Sequence, residues 1–137
     1  MLRHATTYRV IYGDTDQMGV VYYANYLRFF EMGRSALFRH LGLSYREIEA
    51  RGYVLPVSEA SCRYLAPAHY DDVLRIETSL DTSVRAGMKF DYAIRREPDG
   101  LILASGQTRH AFMTPEGRVV RPPGFLREWI ERLLETP

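Results

Sequence analysis

Apolar residues recur at helical spacing early in the chain and at every second position through most of its remaining length. From about Asn25, the residues Tyr26, Phe29, Phe30, Gly33, Leu37 and Leu41 share one helical face, while Arg28, Glu31, Ser35 and Arg39 fall on the other. Asn25 is placed to cap the start of this helix, and Gly42 stands where a left-handed C-terminal residue is expected. Ser44-Tyr45-Arg46-Glu47 is a capping-box pattern that opens a short helix reaching about Arg51, with Gly52 to end it. Ahead of the long helix, Tyr8-Arg9-Val10-Ile11-Tyr12 is aromatic and β-branched and stops at Gly13-Asp14, which predicts a strand.

Beyond residue 53 the period becomes two. Leu74, Ile76, Thr78 and Leu80 alternate with Arg75, Glu77, Ser79 and Asp81, and Phe90, Tyr92 and Ile94 alternate with Lys89, Asp91, Ala93 and Arg95. Segments 54–64 and 101–114 complete a set of four strands. Residues 83–88 join the second to the third, and Pro98-Asp99-Gly100 supplies hairpin-turn chemistry between the third and fourth. Residues 115–123 close the sheet, and Phe125, Leu126, Trp129, Ile130 and Leu133 give an amphipathic C-terminal helix from about 124. One helix between a first strand and four mostly antiparallel strands is an α+β layer, here a single domain over residues 1–137. Gly33 in mid-helix and Gly106 in mid-strand each cost about 1 kcal/mol or less, acceptable where backbone must approach backbone.

Composition narrows the chemistry. The 18 Lys+Arg balance 17 Asp+Glu, so no overall field recruits nucleic acid. Cys62 is the single cysteine, which excludes an internal disulfide and a multi-cysteine metal site and makes a reducing, cytoplasmic setting the expectation. No stretch has the apolar length of a signal peptide or a membrane span, so a soluble protein is expected. The histidines, His4, His40, His69 and His110, lack i,i+4 pairing or companion cysteines, and no metal or separate cofactor is expected. There is no Gly-x-Ser-x-Gly, phosphate loop or dinucleotide fingerprint. Cys62, in mid-strand, reads as a small buried hydrophobe.

What remains is Tyr12-Gly13-Asp14-Thr15-Asp16-Gln17-Met18-Gly19-Val20-Val21-Tyr22-Tyr23-Ala24-Asn25-Tyr26, a loop with two acids leading into a helix. A carboxylate can attack a carbonyl or activate water, and the free N–H groups of a helix start, here around Tyr22 to Asn25, can hold the developing oxyanion. The residues alone do not separate Asp14 from Asp16, and either can simply brace the loop. This run resembles the signature of the 4-hydroxybenzoyl-CoA thioesterase family of the hotdog fold, an Asp-x-Asp-x-x-Gly-[Val/Ile]-Val pattern followed by aromatics and Asn-Tyr. The β-α-β-β-β-β order resembles that fold from Thr7 to about Thr114, and the stretch Ala66-Pro67 with Asp71 and Asp72 resembles the family's Ala-Pro loop and its following acids.

The resemblance implies a curled antiparallel sheet wrapped around one long helix, and hydrolysis of an acyl-CoA to free acid and CoA. It implies that Asp16 is the nucleophile or general base, leaving Asp14 as a brace. Tyr23 departs from the branch associated with the Tol-Pal system, which has His there; a phenol of ordinary pKa ~10 is a poor base, so its role is positional. Gly19 suits a turn that lets a ligand near the backbone, and with Val20, Tyr22 and Asn25 it makes the expected substrate-contacting surface. Glu59 falls where related enzymes place a strand acid, although its spacing also suits an Arg-paired or solvated glutamate. Arg85 and Lys89 flank Gly87 in the loop where family members contact the CoA nucleotide, and either also reads as ordinary solvated charge. Alternatives are an acyl-carrier-protein thioesterase and a non-catalytic acyl- or ligand-binding hotdog module. The resemblance further implies a homodimer or homotetramer, which would also cover an open sheet edge.

Overall fold

The computed structural model describes residues 2–135; residues 1, 136 and 137 of the expected domain span lie outside them. In chain order the elements are β1 (Leu2–Arg9), α1 (Asn25–Leu41), α2 (Tyr45–Ala50), β2 (Val57–Tyr64), β3 (Val73–Leu80), β4 (Met88–Glu97), β5 (Ile102–His110), β6 (Phe112–Met113), β7 (Val119–Val120) and α3 (Gly124–Glu135). Five strands form an antiparallel sheet in the order β1-β3-β4-β5-β2, and β6 and β7 make a separate two-stranded ribbon.

The period-two pattern is matched by the burial. Leu74, Ile76, Thr78 and Leu80 of β3 and Met88, Phe90, Tyr92 and Ile94 of β4 are buried on one face, against α1. Their alternating, mostly charged partners cover the other face and pair across strands, as in Arg95–Glu77 at 3.0 Å, or along one strand, as in Lys89–Asp91 at 3.2 Å. The helix comes very close to this sheet. A Cβ on Gly33 would collide with Thr78 Oγ1, and one on Gly106 would collide with the Ser61 carbonyl and stand 2.6 Å from the Phe30 ring, so both glycines are required by contact. Phe30 stacks on Tyr92 with centroids 4.3 Å apart, which fixes α1 on β4.

Four expectations need correction. The first strand is Leu2–Arg9, not 8–12, because its register runs unbroken against β3 from Leu2↔Leu80 to Arg9↔Val73, whereas Tyr12–Asp14 coils into a 3-10 turn. Asn25 does not cap α1; the cap residue is Ala24, without a side-chain bond, and Asn25 is used elsewhere. Val54 bridges Met113 apart from β2, which starts at Val57. The last long strand breaks after His110, and residues 112–120 fold back as the β6–β7 ribbon instead of only ending the sheet. Gly42, at φ 92°, and the Ser44–Glu47 capping box stand as expected.

Candidate active site

The chain leaves β1 at Arg9 and must turn back to enter α1, and one buried carboxylate organises the turn. Asp14 is only 2% exposed. Its Oδ2 accepts from the Tyr8 hydroxyl at 2.8 Å and from the Ile11 amide at 3.0 Å, and its Oδ1 lies 3.8 Å from the Arg28 guanidinium. Its carbonyl accepts two more bonds, from the Tyr22 amide and from Asn25 Nδ2, both at 2.8 Å. Every acceptor atom of Asp14 is thus engaged within the protein, which suits a brace and leaves little capacity for substrate. Asn25 is the helix-side half of that clamp.

Asp16 is placed differently. Its Oδ1 accepts from the Met18 amide at 2.9 Å, its backbone N–H and C=O close a tight loop with Val20 and Gly19, and Gly19 sits at φ 80°. Oδ2 takes no hydrogen bond from any described residue. The carboxylate borders a pocket of about 340 Å³ walled by Val20, Tyr23, Tyr26, Tyr64 and Leu65. At the adjacent helix start, Tyr22 N–H is spent on Asp14, Asn25 N–H on the Tyr22 carbonyl and Tyr26 N–H on that of Tyr23. The N–H groups of Tyr23 and Ala24 donate to no described residue, so they are the two donors a developing oxyanion could find.

Aromatic rings line the pocket with their carbon faces because their hydroxyls are used elsewhere. The Tyr64 hydroxyl donates to the Tyr23 carbonyl at 2.9 Å, and its ring meets Tyr26 and Tyr23 edge-on. Burial pushes the Tyr64 phenol up to about 12 and raises that of Tyr26 as well; Tyr22 is raised mainly by its hydrogen bond with the Tyr23 hydroxyl. These phenols stay protonated at neutral pH and act as donors and packing surface. Tyr23 is 62% exposed at the rim, next to the exposed Tyr22 and Met18.

The structure therefore gathers Asp16, Val20 and Tyr23 around one pocket, with Gly19 shaping the loop, Asn25 clamping Asp14 and Tyr22 just outside. Glu59, Arg85 and Lys89 lie elsewhere in the same chain. Glu59 is exposed on β2, 3.9 Å from Arg109. Lys89 is held between Asp91 and Asp81, at 3.2 and 3.9 Å, so its charge is already compensated. Arg85 borders a second cleft, of about 1020 Å³, with an apolar floor that includes Leu80, Met88, Phe112 and Leu126, and with Arg109, Arg121 and Arg127 around it. Tyr8, Arg28 and Tyr64 complete the first site and were not singled out by the sequence, since nothing in local spacing joins β1 or the end of β2 to this loop. Among the described residues no cluster of three or more His, Cys, Asp or Glu side chains could hold a metal ion.

Residues 10–130 match the model of the thioesterase-like superfamily. The chain belongs to that superfamily. It is 33% identical over 127 residues to the 1,4-dihydroxy-2-naphthoyl-CoA hydrolase of Thermosynechococcus vestitus, covering 89% of this chain and 84% of that protein. It is 42% identical over 77 residues to the acyl-CoA thioester hydrolase YbgC of Escherichia coli O157:H7, a match covering 56% of this chain and 57% of that protein. The solved 1,4-dihydroxy-2-naphthoyl-CoA thioesterase of Synechocystis superposes with a TM-score of 0.87 at 26% identity, over 98% of this chain and 99% of that one. A mutant of 4-hydroxybenzoyl CoA thioesterase complexed with 4-hydroxybenzoyl CoA gives 0.84 at 26%, over 96% and 98%. This superfamily member has the hotdog architecture, a sheet curled around α1, and is a thioester hydrolase.

Proposed function

We propose that the protein hydrolyses an acyl-CoA to free acid and CoA, with Asp16 as nucleophile or general base and the Tyr23 and Ala24 N–H groups as oxyanion donors. The observation that carries this reading is the division of labour in the acid loop. Asp14 is saturated by protein donors, while Asp16 keeps one oxygen free on an aromatic pocket beside two unspent helix-start amides. The acyl group occupies the pocket among Val20, Tyr23, Tyr26 and Tyr64, with its thioester carbonyl over the helix start.

The carrier end requires a second copy. Among the described residues β2 pairs only with β5, and nearly all of its residues are exposed, with Val57, Tyr64 and the adjoining Leu65 among the large apolar ones. Antiparallel pairing of two β2 edges about a two-fold axis sets the Tyr64 end of one copy beside the Val57–Ser58 end of the other. Ser58 borders the cleft that carries Arg85, so the Asp16 pocket of one copy then opens toward the arginine-rimmed cleft of its mate. That cleft suits the CoA phosphates, with Arg85 a better contact than the compensated Lys89.

A thiol-release assay across acyl-CoA esters, an acyl-carrier-protein thioester and a CoA-free thioester of the same acyl group tests this. Preference for the CoA ester, lost as a rise in KM in an Arg85→Ala/Lys89→Ala variant, is the expected result. Absence of any thioester hydrolysis would leave a ligand-binding module, and preference for the protein carrier would reassign the substrate. Light scattering at micromolar concentration should give at least a dimer, and a fully active monomer would refute the shared site.

A further inference from the structure

Arg34, on the buried face of α1, is only 8% exposed, and its guanidinium is bound by phenols instead of a carboxylate. Nε donates to the Tyr45 hydroxyl at 2.5 Å and Nη1 to the Tyr92 hydroxyl at 3.1 Å. The Tyr92 hydroxyl is 2.7 Å from Thr108 Oγ1, which is 2.9 Å from His110 Nε2, and His110 Nδ1 is 3.1 Å from the Leu55 carbonyl. An isolated buried cation is costly, so this chain of partners is what makes Arg34 tolerable.

The direction of every bond is set from its two ends. A guanidinium only donates and a backbone carbonyl only accepts, so the Tyr92 oxygen accepts from Arg34 and the His110 Nδ1 must carry a hydrogen. In a neutral imidazole Nε2 then accepts, which makes Thr108 its donor and Tyr92 the donor to Thr108. The relay runs one way, from Arg34 through Tyr92 and Thr108 to His110, and ends on Leu55. A proton added at Nε2 would turn Thr108 Oγ1 from donor to acceptor; that oxygen would then receive both Nε2–H and the Tyr92 hydroxyl, and its own hydrogen would lose the acceptor it had.

We propose that Arg34 is a positioning residue: through Tyr45 and Tyr92 it sets α1 on the sheet, and through the relay it holds His110 as the neutral Nδ1–H tautomer, so that protonating His110 loosens the seat of α1. Given the thioesterase reading, the affected helix is the one whose N-terminal end presents the oxyanion donors. The charged and titratable groups around the relay include Glu31 on α1, Tyr45 on α2, Asp91 beside Tyr92 on β4 and, lining the cleft that His110 borders, Asp81, Arg85, Arg109, Arg121, Arg127 and Glu131. Burial, with Arg34 adding to it, takes the His110 imidazole down to about 4 against the pull of its bond to Leu55. Phe90 meets its ring edge-on at 5.4 Å and leaves that face apolar.

The test is long-range nitrogen–proton NMR of the His110 ring with a pH–rate profile for thioester hydrolysis, on the wild type, Tyr92→Phe and Thr108→Val. The wild type should show the proton on Nδ1 and an unprotonated Nε2 down to about pH 5. Tyr92→Phe keeps the ring stacked on Phe30 but removes the donor that competes with Nε2–H for Thr108 Oγ1, so the His110 midpoint should rise, with burial still holding it below its ordinary value. The acid limb of kcat should rise with it, with KM within about twofold. Thr108→Val removes the oxygen bonded to Nε2, so there the midpoint should not rise. A wild-type ring protonated on Nε2, or a His110 midpoint indifferent to Tyr92→Phe, would overturn the relay; an effect on KM alone would overturn the positioning role. The ring signals decide the relay even if no thioester is hydrolysed, so its failure and that of the proposed function are distinguishable.

Discussion

The N-terminal end and the middle of α1 differ in how completely their polar groups are used. At the N-terminal end, Asp16 Oδ2 and the amides of Tyr23 and Ala24 are unspent beside exposed Tyr23 and Met18. Further along the helix, Arg34 heads a largely buried relay through Tyr92 and Thr108 to His110 in which each direction is fixed. The same physics governs both. An unsatisfied group is costly when buried and tolerable when wet, so groups left free collect at the open end and fully paired ones in the closed part. Asp14 shows the contrast within a single loop, since it is two residues from Asp16 yet belongs with the closed kind.

The largest expected effect separates the two kinds outright. Asp16→Asn should lower turnover by ~10²–10⁴-fold while leaving the melting temperature near that of the wild type, because the side chain makes only one local bond. Unimpaired turnover would mean that the free carboxylate is not the reacting group.

In the closed part the expected effect is on stability as a function of pH. An unfolded chain protonates His110 near 6.5, the folded one only at about 4. The stability associated with this group is therefore full above pH 6.5 and is lost as the pH falls through 4, a total of roughly 3 kcal/mol. Denaturant unfolding between pH 7 and 4 measures it, and His110→Asn should flatten that part of the curve. An equal slope in the variant would mean the histidine is not the group responsible.

Next in size, Asp14→Ala leaves the Tyr8 hydroxyl and the Ile11 amide without their acceptor and should cost about 2 kcal/mol, with activity falling in parallel. If it instead abolished turnover at unchanged stability, Asp14 would belong with the open kind. Tyr23→Phe is expected to be smallest. The hydroxyl is at the rim while the backbone of Tyr23 does the positioning, so the rate should drop by less than about tenfold. A collapse comparable to Asp16→Asn would make that hydroxyl an essential donor.

Much of the fold was legible because burial imposes a period. The α1 face, the alternation in β3 and β4, the capping box at Ser44 and the two close-packed glycines were each readable from residues within a few positions of one another. The acid loop was legible as a motif, although the residues alone could not rank Asp14 against Asp16. Arg34 escaped, because helical spacing put a charged residue on the buried face and no periodicity rule marks an arginine satisfied by phenols 11 and 58 residues away. The first strand was placed too late for a related reason. Polar Arg3, His4, Thr6 and Thr7 hide its pattern, and only the register with β3 reveals it.

The sequence by itself determined the periods, the turns and the presence of two acids before a helix, since those depend on local backbone preference and on which face of each element is apolar. Tertiary structure decided which acid is saturated and which is free. That outcome rests on donors delivered from elsewhere, the Tyr8 hydroxyl from β1 and the Arg28 guanidinium and Asn25 amide from α1, which reach Asp14 and not Asp16 only once the chain has closed. Lys89 gained one of its two ion-pair partners in the same way, when the β3–β4 turn brought Asp81 to 3.9 Å from it, beside Asp91 two residues along β4. Hydrogen bonds and ion pairs are contacts of a few ångströms between positions that spacing along the chain does not relate, so they become definite only in the folded protein.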